Sequence, residues 1–214
     1  MKYDVYKLRL KGLAFILAPI LMIGAAMGVV FEIGINEGGN ESQMDALLIG
    51  YAIILFIPIF LGLSDILGKG SPRLALLCAI TGILGVAGGL GAAYTRFFEW
   101  MLLDSGGTLE GTIYEIDMPT AMFPLAIGAL FFPLTPIILG FASLRNDDVS
   151  TLSAIFLILG GVFFIMGQAA DIALKVTYPL AGIAWLIALA PIGWQYLSQP
   201  QPDHGSKSAQ ARSS

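Results

Sequence analysis

The sequence predicts an all-α membrane protein: a bundle of six transmembrane helices built from three helical hairpins, with both termini in the cytoplasm. Three observations predict it. Apolar residues make up 57% of the 214 and charged residues only 12%, about half the charged share of a soluble domain. Six continuously apolar segments of about 20 residues fill most of the chain, and a helix of that length crosses the ~30 Å hydrocarbon core. All but two of the 11 Lys and Arg fall on one side of those segments, the positive-inside pattern. Continuous rather than alternating hydrophobicity sets the segments apart from barrel strands.

The first segment, 12–34, follows Lys2, Lys7, Arg9 and Lys11. Its apolar run exceeds that of a secretory signal, so it reads as an uncleaved anchor. The second, 46–67, and the third, 74–101, are joined through Lys69 and Arg73. The fourth, 118–143, and the fifth, 152–171, are joined through Arg145; the sixth, 177–197, precedes a tail containing Lys207 and Arg212. The span 1–197 is one transmembrane domain, and the Ser/Gln-rich 198–214 reads as a disordered cytoplasmic tail. Only Arg96 and Lys175 lie on the opposite, outer side, where acids gather: Glu32, Glu37, Glu41, Asp45, Glu99, Asp104, Glu110, Glu115, Asp117 and Asp171. An outward negative field argues against a nucleic-acid partner. The chain is expected in the cell membrane, as a multi-pass protein of a prokaryotic cytoplasmic membrane.

Comparing the hairpins with one another points to an internal repeat. Residues 24–32 read GAAMGVVFE and residues 91–99 read GAAYTRFFE, agreeing at five of nine positions. Gly50, Pro58 and Gly62 of the second segment match Gly128, Pro136 and Gly140 of the fourth in spacing. A fainter third copy runs through Gly167-Gln168-Ala169-Ala170-Asp171, with Gly182 and Pro191 in the sixth segment. Parallel repeats of this kind occur in some transporters.

The repeat aligns Glu32, Glu99 and Asp171 at the outer ends of the odd-numbered helices. A carboxylate there opposes the helix dipole at a cost of about 0.3–1 kcal/mol. One reading makes all three interfacial charges in water; the other makes them an outward-facing acidic site for a cation, a proton or a small amphiphile. Arg96, one turn before Glu99, and Lys175, four residues after Asp171, are the expected pairing partners of those acids. Glu32 has no such neighbour in sequence. Gln168, in the outer half of the fifth segment, needs a hydrogen-bond partner, as interhelical glue or as part of the same site. Asp65 is expected to pair with Lys69.

Gly24 with Gly28 and Gly85 with Gly89 form GxxxG spacings, read as close helix packing. Pro58, Pro133, Pro136 and Pro191 are expected to kink their helices and shape the bundle or open a cavity between hairpins. Tyr94, Trp100, Tyr114 and Tyr178 outside, with Trp194 and Tyr196 inside, read as interfacial belts. Trp185, deep in the sixth segment, reads as lipid-facing or core.

The lone His204 lies in the tail and the lone Cys78 inside the third segment. Neither a Ser–His pair nor a zinc set can therefore be built within the bundle. The expectation is a non-enzyme without cofactor that contacts the lipid bilayer. It either binds or transports a small solute through Glu32, Glu99, Asp171, Gln168 and Arg96, or serves as an accessory subunit. In the latter case its Gly-rich faces meet a membrane-protein partner or a second copy. A cavity with the acids pointing inward favours the first; acids facing bulk water in a closed bundle favour the second.

Overall fold

The computed structural model describes residues 2–35, 42–108, 118–145 and 149–198, without the side chains of 2–4, 118–126 and 169. Outside these residues lie most of the outer 104–117 loop and the tail, and with them Glu37, Glu41, Glu110, Tyr114, Glu115, Asp117 and His204.

Apolar composition drives helix formation, because a backbone in hydrocarbon must satisfy its own polar groups. Helix α1 (Lys2–Val30) begins well before the apolar stretch and ends short of residue 34. Glu32 turns into the left-handed region at φ 54. There Ile33 N–H bonds the Gly28 carbonyl at 2.9 Å and Glu32 N–H the Val29 carbonyl at 3.4 Å, a Schellman closure. Helix α2 (Gln43–Leu67) starts at Ser42, whose Oγ accepts from Asp45 N–H at 3.3 Å and donates to the Ile33 carbonyl at 2.6 Å. One hydroxyl thus caps α2 and ties it to the end of α1. Helix α3 (Pro72–Asp104) has Pro at its first position, where the missing N–H costs nothing. Helix α4 spans Met118–Ser143.

The fifth segment departs most from a regular helix. Helix α5 (Thr151–Phe164) widens into a π-helical turn, Ile165–Ala169, in place of continuous α-helix to 171. Asp171 (φ 50) and Ala173 (φ 48) then take left-handed conformations. Helix α6 (Leu174–Ser198) follows at once.

Each helix packs against its neighbours in the chain, and α6 closes on α1. Lys11 Nζ of α1 meets Asp65 Oδ2 of α2 at 2.7 Å, while Lys175 Nζ of α6 meets Glu32 Oε1 beyond α1 at 2.6 Å. Consecutive helices therefore run antiparallel. The ends of α1, α3 and the π turn share what we call the distal end; the start of α1 and the end of α6 mark the proximal end. Asp65 pairs with Lys11 rather than with Lys69, because α1 crosses α2 at that level.

Aromatic rings fill the middle of the bundle. Phe56 of α2 lies 4.9 Å from Phe132 of α4 and 5.1 Å from Trp185 of α6, ring centre to ring centre. Phe164 of α5 lies 5.4 Å from Phe132. These contacts are edge-to-face, the arrangement ring quadrupoles favour. Trp185 is wholly buried and is a core residue; a Cβ on Gly160 would strike its indole.

The other glycines serve the same closeness. A side chain on Gly85 or Gly88 would run into the α4 backbone at Phe131–Phe132 and Gly128–Ala129. Gly24 faces Leu48, and Gly28 faces Ser42 and Asp45, all on the α2 side. The Gly-rich faces of α1 and α3 are thus occupied by this chain's own helices. Outward-facing positions carry large apolar side chains, Leu10, Leu13, Leu17 and Ile20 on α1 and Leu76, Ile80 and Ile83 on α3 among them.

Among the described residues the chain is helical, with one isolated bridge between Ile35 and Ser42. Five stretches are long and apolar enough to cross a membrane: Val5–Val30, Gln43–Leu67, Pro72–Asp104, Thr151–Gln168 and Leu174–Ser198. The described side-chain-bearing part of α4, Ile127–Ser143, is a shorter apolar helix. A helical, apolar bundle of this kind is compatible with a polytopic membrane protein.

Candidate functional site

The site begins with a glycine. At Gly28 the start of α2 comes so close that a Cβ would lie 2.9 Å from Ser42 Oγ and 3.0 Å from Asp45 N. That approach, with the Ser42 cap, turns Asp45 inward from the first turn of α2. Its side chain is 1% exposed, so it is not part of a surface acidic field, as its place beside a loop suggested. The positive end of the α2 dipole favours a carboxylate at this position.

Asp45 is held from two more helices. Arg96 Nη1 of α3 donates to its Oδ2 at 2.9 Å, and the Tyr178 hydroxyl of α6 donates to its Oδ1 at 2.8 Å. Arg96 Nη2 in turn donates to Gln168 Oε1. Gln168 stands in the π turn, and π turns commonly re-aim side chains at functional positions. The network thus joins α2, α3, the π turn and α6. A buried ion pair repays its desolvation only when further hydrogen bonds satisfy the remaining lone pairs and protons. Tyr178 and Gln168 supply those bonds.

One donor group is left over. Gln168 Nε2 is buried and has no hydrogen-bond partner among the described residues. Gln168 and Arg96 border a cavity of about 350 Å³, within the size range of small-molecule sites. Its wall comes from Ile49 and Ile53 of α2, Gly89, Ala92 and Ala93 of α3, and Ala129, Leu130 and Pro133 of α4. Phe132 and Phe164, members of the aromatic core, close it further in. The arrangement is an apolar chamber with a polar edge at its distal end.

The residues expected to act together divide between two places. Arg96 and Gln168 meet at this chamber. Glu32 and Asp171 line a shallow surface groove of about 670 Å³ with Val29, Ile35, Leu174 and Lys175. Glu99, half-buried one turn beyond Arg96, is not part of the described wall of either.

Lys175 pairs with Glu32 rather than with Asp171. The left-handed residues Asp171 and Ala173 break the helix between Asp171 and Lys175, removing the one-turn spacing on which that pairing depended. Glu32, without a partner in sequence, gains one in space. The Lys175 ammonium, through its hydrogen bond first and its charge second, holds the Glu32 carboxyl below the usual carboxylate range.

Asp45 and Tyr178 are the site residues that sequence reasoning missed. Asp45 had a legible signal: Ser42 and Asp45 have capping-box spacing immediately before an apolar run. Tyr178 had none, since an aromatic near a helix start has the position of a belt residue. It is fully buried and not a belt residue.

No protein-family model matches the chain, and no curated protein or solved structure shows significant similarity to it.

Proposed function

We propose that the chain is a non-catalytic membrane protein that binds, and by extension carries, a small amphiphile in the chamber between α2, α3, α4 and the π turn. The observation that carries this reading is the pairing of an apolar chamber with a polar edge held by Arg96 and Gln168. A molecule with an apolar body and one polar group matches that division. A cation or proton is the poorer fit. Glu32 is matched by Lys175 in a surface groove, and Asp45, bonded to the Arg96 that borders the chamber, is committed to Arg96 and Tyr178. On the positive-inside distribution the distal end faces outward, so the ligand enters from the outer leaflet or the outer aqueous face.

Purified protein in nanodiscs tests this with a thermal-shift panel of small amphiphiles. Wild type is expected to be stabilised by at least one of them, in proportion to concentration over Kd. Ala92→Phe, which fills the chamber from α3, is expected to abolish the shift. If no amphiphile shifts wild type, or the Phe variant shifts equally, the binding reading fails and the accessory-subunit reading takes its place.

A further inference from the structure

We infer that the chamber selects a ligand whose polar group is a neutral hydrogen-bond acceptor, a ketone, ester or amide carbonyl, seated against Gln168 Nε2. The inference rests on the amphiphile-binding reading and adds the chemistry of the head.

The orientation of Gln168 is fixed by its neighbour. A guanidinium has only donors, so the Gln168 oxygen must face Arg96 and the amide nitrogen must turn away from it. That nitrogen is buried without a partner among the described residues. A buried donor left unmade is costly, and an acceptor brought by a ligand removes the cost.

Charge then sorts the acceptors. The polar groups of the network are Asp45 from α2, Arg96 from α3, Gln168 from the π turn and Tyr178 from α6. The described wall from α4 is apolar. Arg96 is paired with Asp45 at 2.9 Å, so the guanidinium does not meet the chamber as a free cation. An ammonium head would meet the like charge of Arg96 there, and the Gln168 oxygen already accepts from that guanidinium. A carboxylate head would find the donors but leave one uncompensated negative charge at membrane depth, which is expensive. A neutral carbonyl takes the Gln168 donor and adds no charge, while its hydrocarbon lies along Ile49, Ile53 and Leu130.

The test uses the full chain in nanodiscs and three probes with one common alkyl tail: a methyl ketone, a carboxylate and a primary amine. The ketone is expected to bind most tightly. Gln168→Leu should weaken the ketone about 3- to 10-fold, the worth of one hydrogen bond. Asp45→Asn, which removes the carboxylate charge paired with Arg96, should move the preference toward the carboxylate. Gln168→Leu exchanges one side chain at the cavity edge, and the probe series on wild type depends on neither variant folding. Tighter binding of the carboxylate or the amine to wild type overturns the inference, as does an unchanged ketone affinity in Gln168→Leu. Equal binding of all three probes, each lost in Ala92→Phe, removes the head-group inference and leaves the chamber reading standing. Binding of none removes both.

Discussion

Among the described residues, two ion pairs at the distal end differ in nearly everything except chemistry. Arg96–Asp45 joins α3 to α2 at 2.9 Å with the carboxylate 1% exposed; Lys175–Glu32 joins α6 to the end of α1 at 2.6 Å with its partners 57% and 63% exposed. The shorter contact is the weaker one. In water, Coulomb attraction is screened and two long side chains lose freedom to meet, so an exposed pair contributes little. Out of water the same attraction is large, but so is the desolvation, and the balance depends on the other hydrogen bonds. Asp45 has Tyr178 and the α2 dipole. Glu32 has solvent.

The widest separation between the two pairs should appear on removing each cation. Arg96→Met keeps the apolar stem but strands the buried Asp45 carboxylate, and is expected to cost about 3–5 kcal/mol of bundle stability. Lys175→Met should lower thermal stability only slightly. Denaturant or thermal unfolding in a common detergent compares them. A sharper form adds Asp45→Leu to Arg96→Met. The double variant should be more stable than Arg96→Met alone, because it removes the stranded charge. A double variant as unstable as the single would mean that packing, not charge, sets the cost.

The sequence placed the helices and the charge asymmetry because both are written in composition, a property that survives any detail of packing. It also marked Gln168 as an amide in need of a partner and Arg96 as its neighbour in a candidate site. It misled at Asp45, counted among the outer acids, and left Glu32 without a partner, for one physical reason. A one-turn spacing along a helix is legible in sequence, whereas both acids are paired across the bundle, from residues far off in the chain. The π turn at Ile165–Ala169 was equally invisible, since no proline or charge in it interrupts the segment. Its two consequences, the inward Gln168 and the broken spacing between Asp171 and Lys175, are what divide the expected site. The aligned acids accordingly do not form one cluster: Glu32 and Asp171 share the surface groove, and Glu99 is not part of its described wall. Only Glu32 and Asp171 share the left-handed backbone that ends a helix.

A middle-sized effect is expected at Tyr178. Tyr178→Phe keeps the ring contact with Phe164, 6.1 Å between centres, and removes the hydroxyl bond to Asp45. Hydrogen bonds to charged groups contribute about 1.5–3 kcal/mol, so the loss should fall between those of Arg96→Met and Lys175→Met. The same variant in the exposed pair's setting has no counterpart, which makes it the cleanest measure of how far burial amplifies one bond. A loss as small as that of Lys175→Met would place Asp45 in a wetter environment than its burial implies.

The smallest effect is the most specific, because it is a dependence on pH. Lys175 depresses the Glu32 carboxyl in the folded protein below its ordinary value of 4.5. A group whose folded value is lowered stabilises the fold above its unfolded value, and that stabilisation is lost as pH falls through the folded value. The Glu32–Lys175 pair therefore contributes its full, slight amount at neutral pH and loses it only in acid below about 4.5. Wild type and Lys175→Met should show parallel unfolding temperatures from pH 8 to pH 5 and converge below that. Any gap is screened by salt, since both partners are exposed. A gap that widened in acid, or that resisted high salt, would mean that the groove holding Glu32, Asp171 and Lys175 is shielded from water. It would then resemble the chamber edge more than its exposure suggests, and the contrast between the two pairs would have to be redrawn.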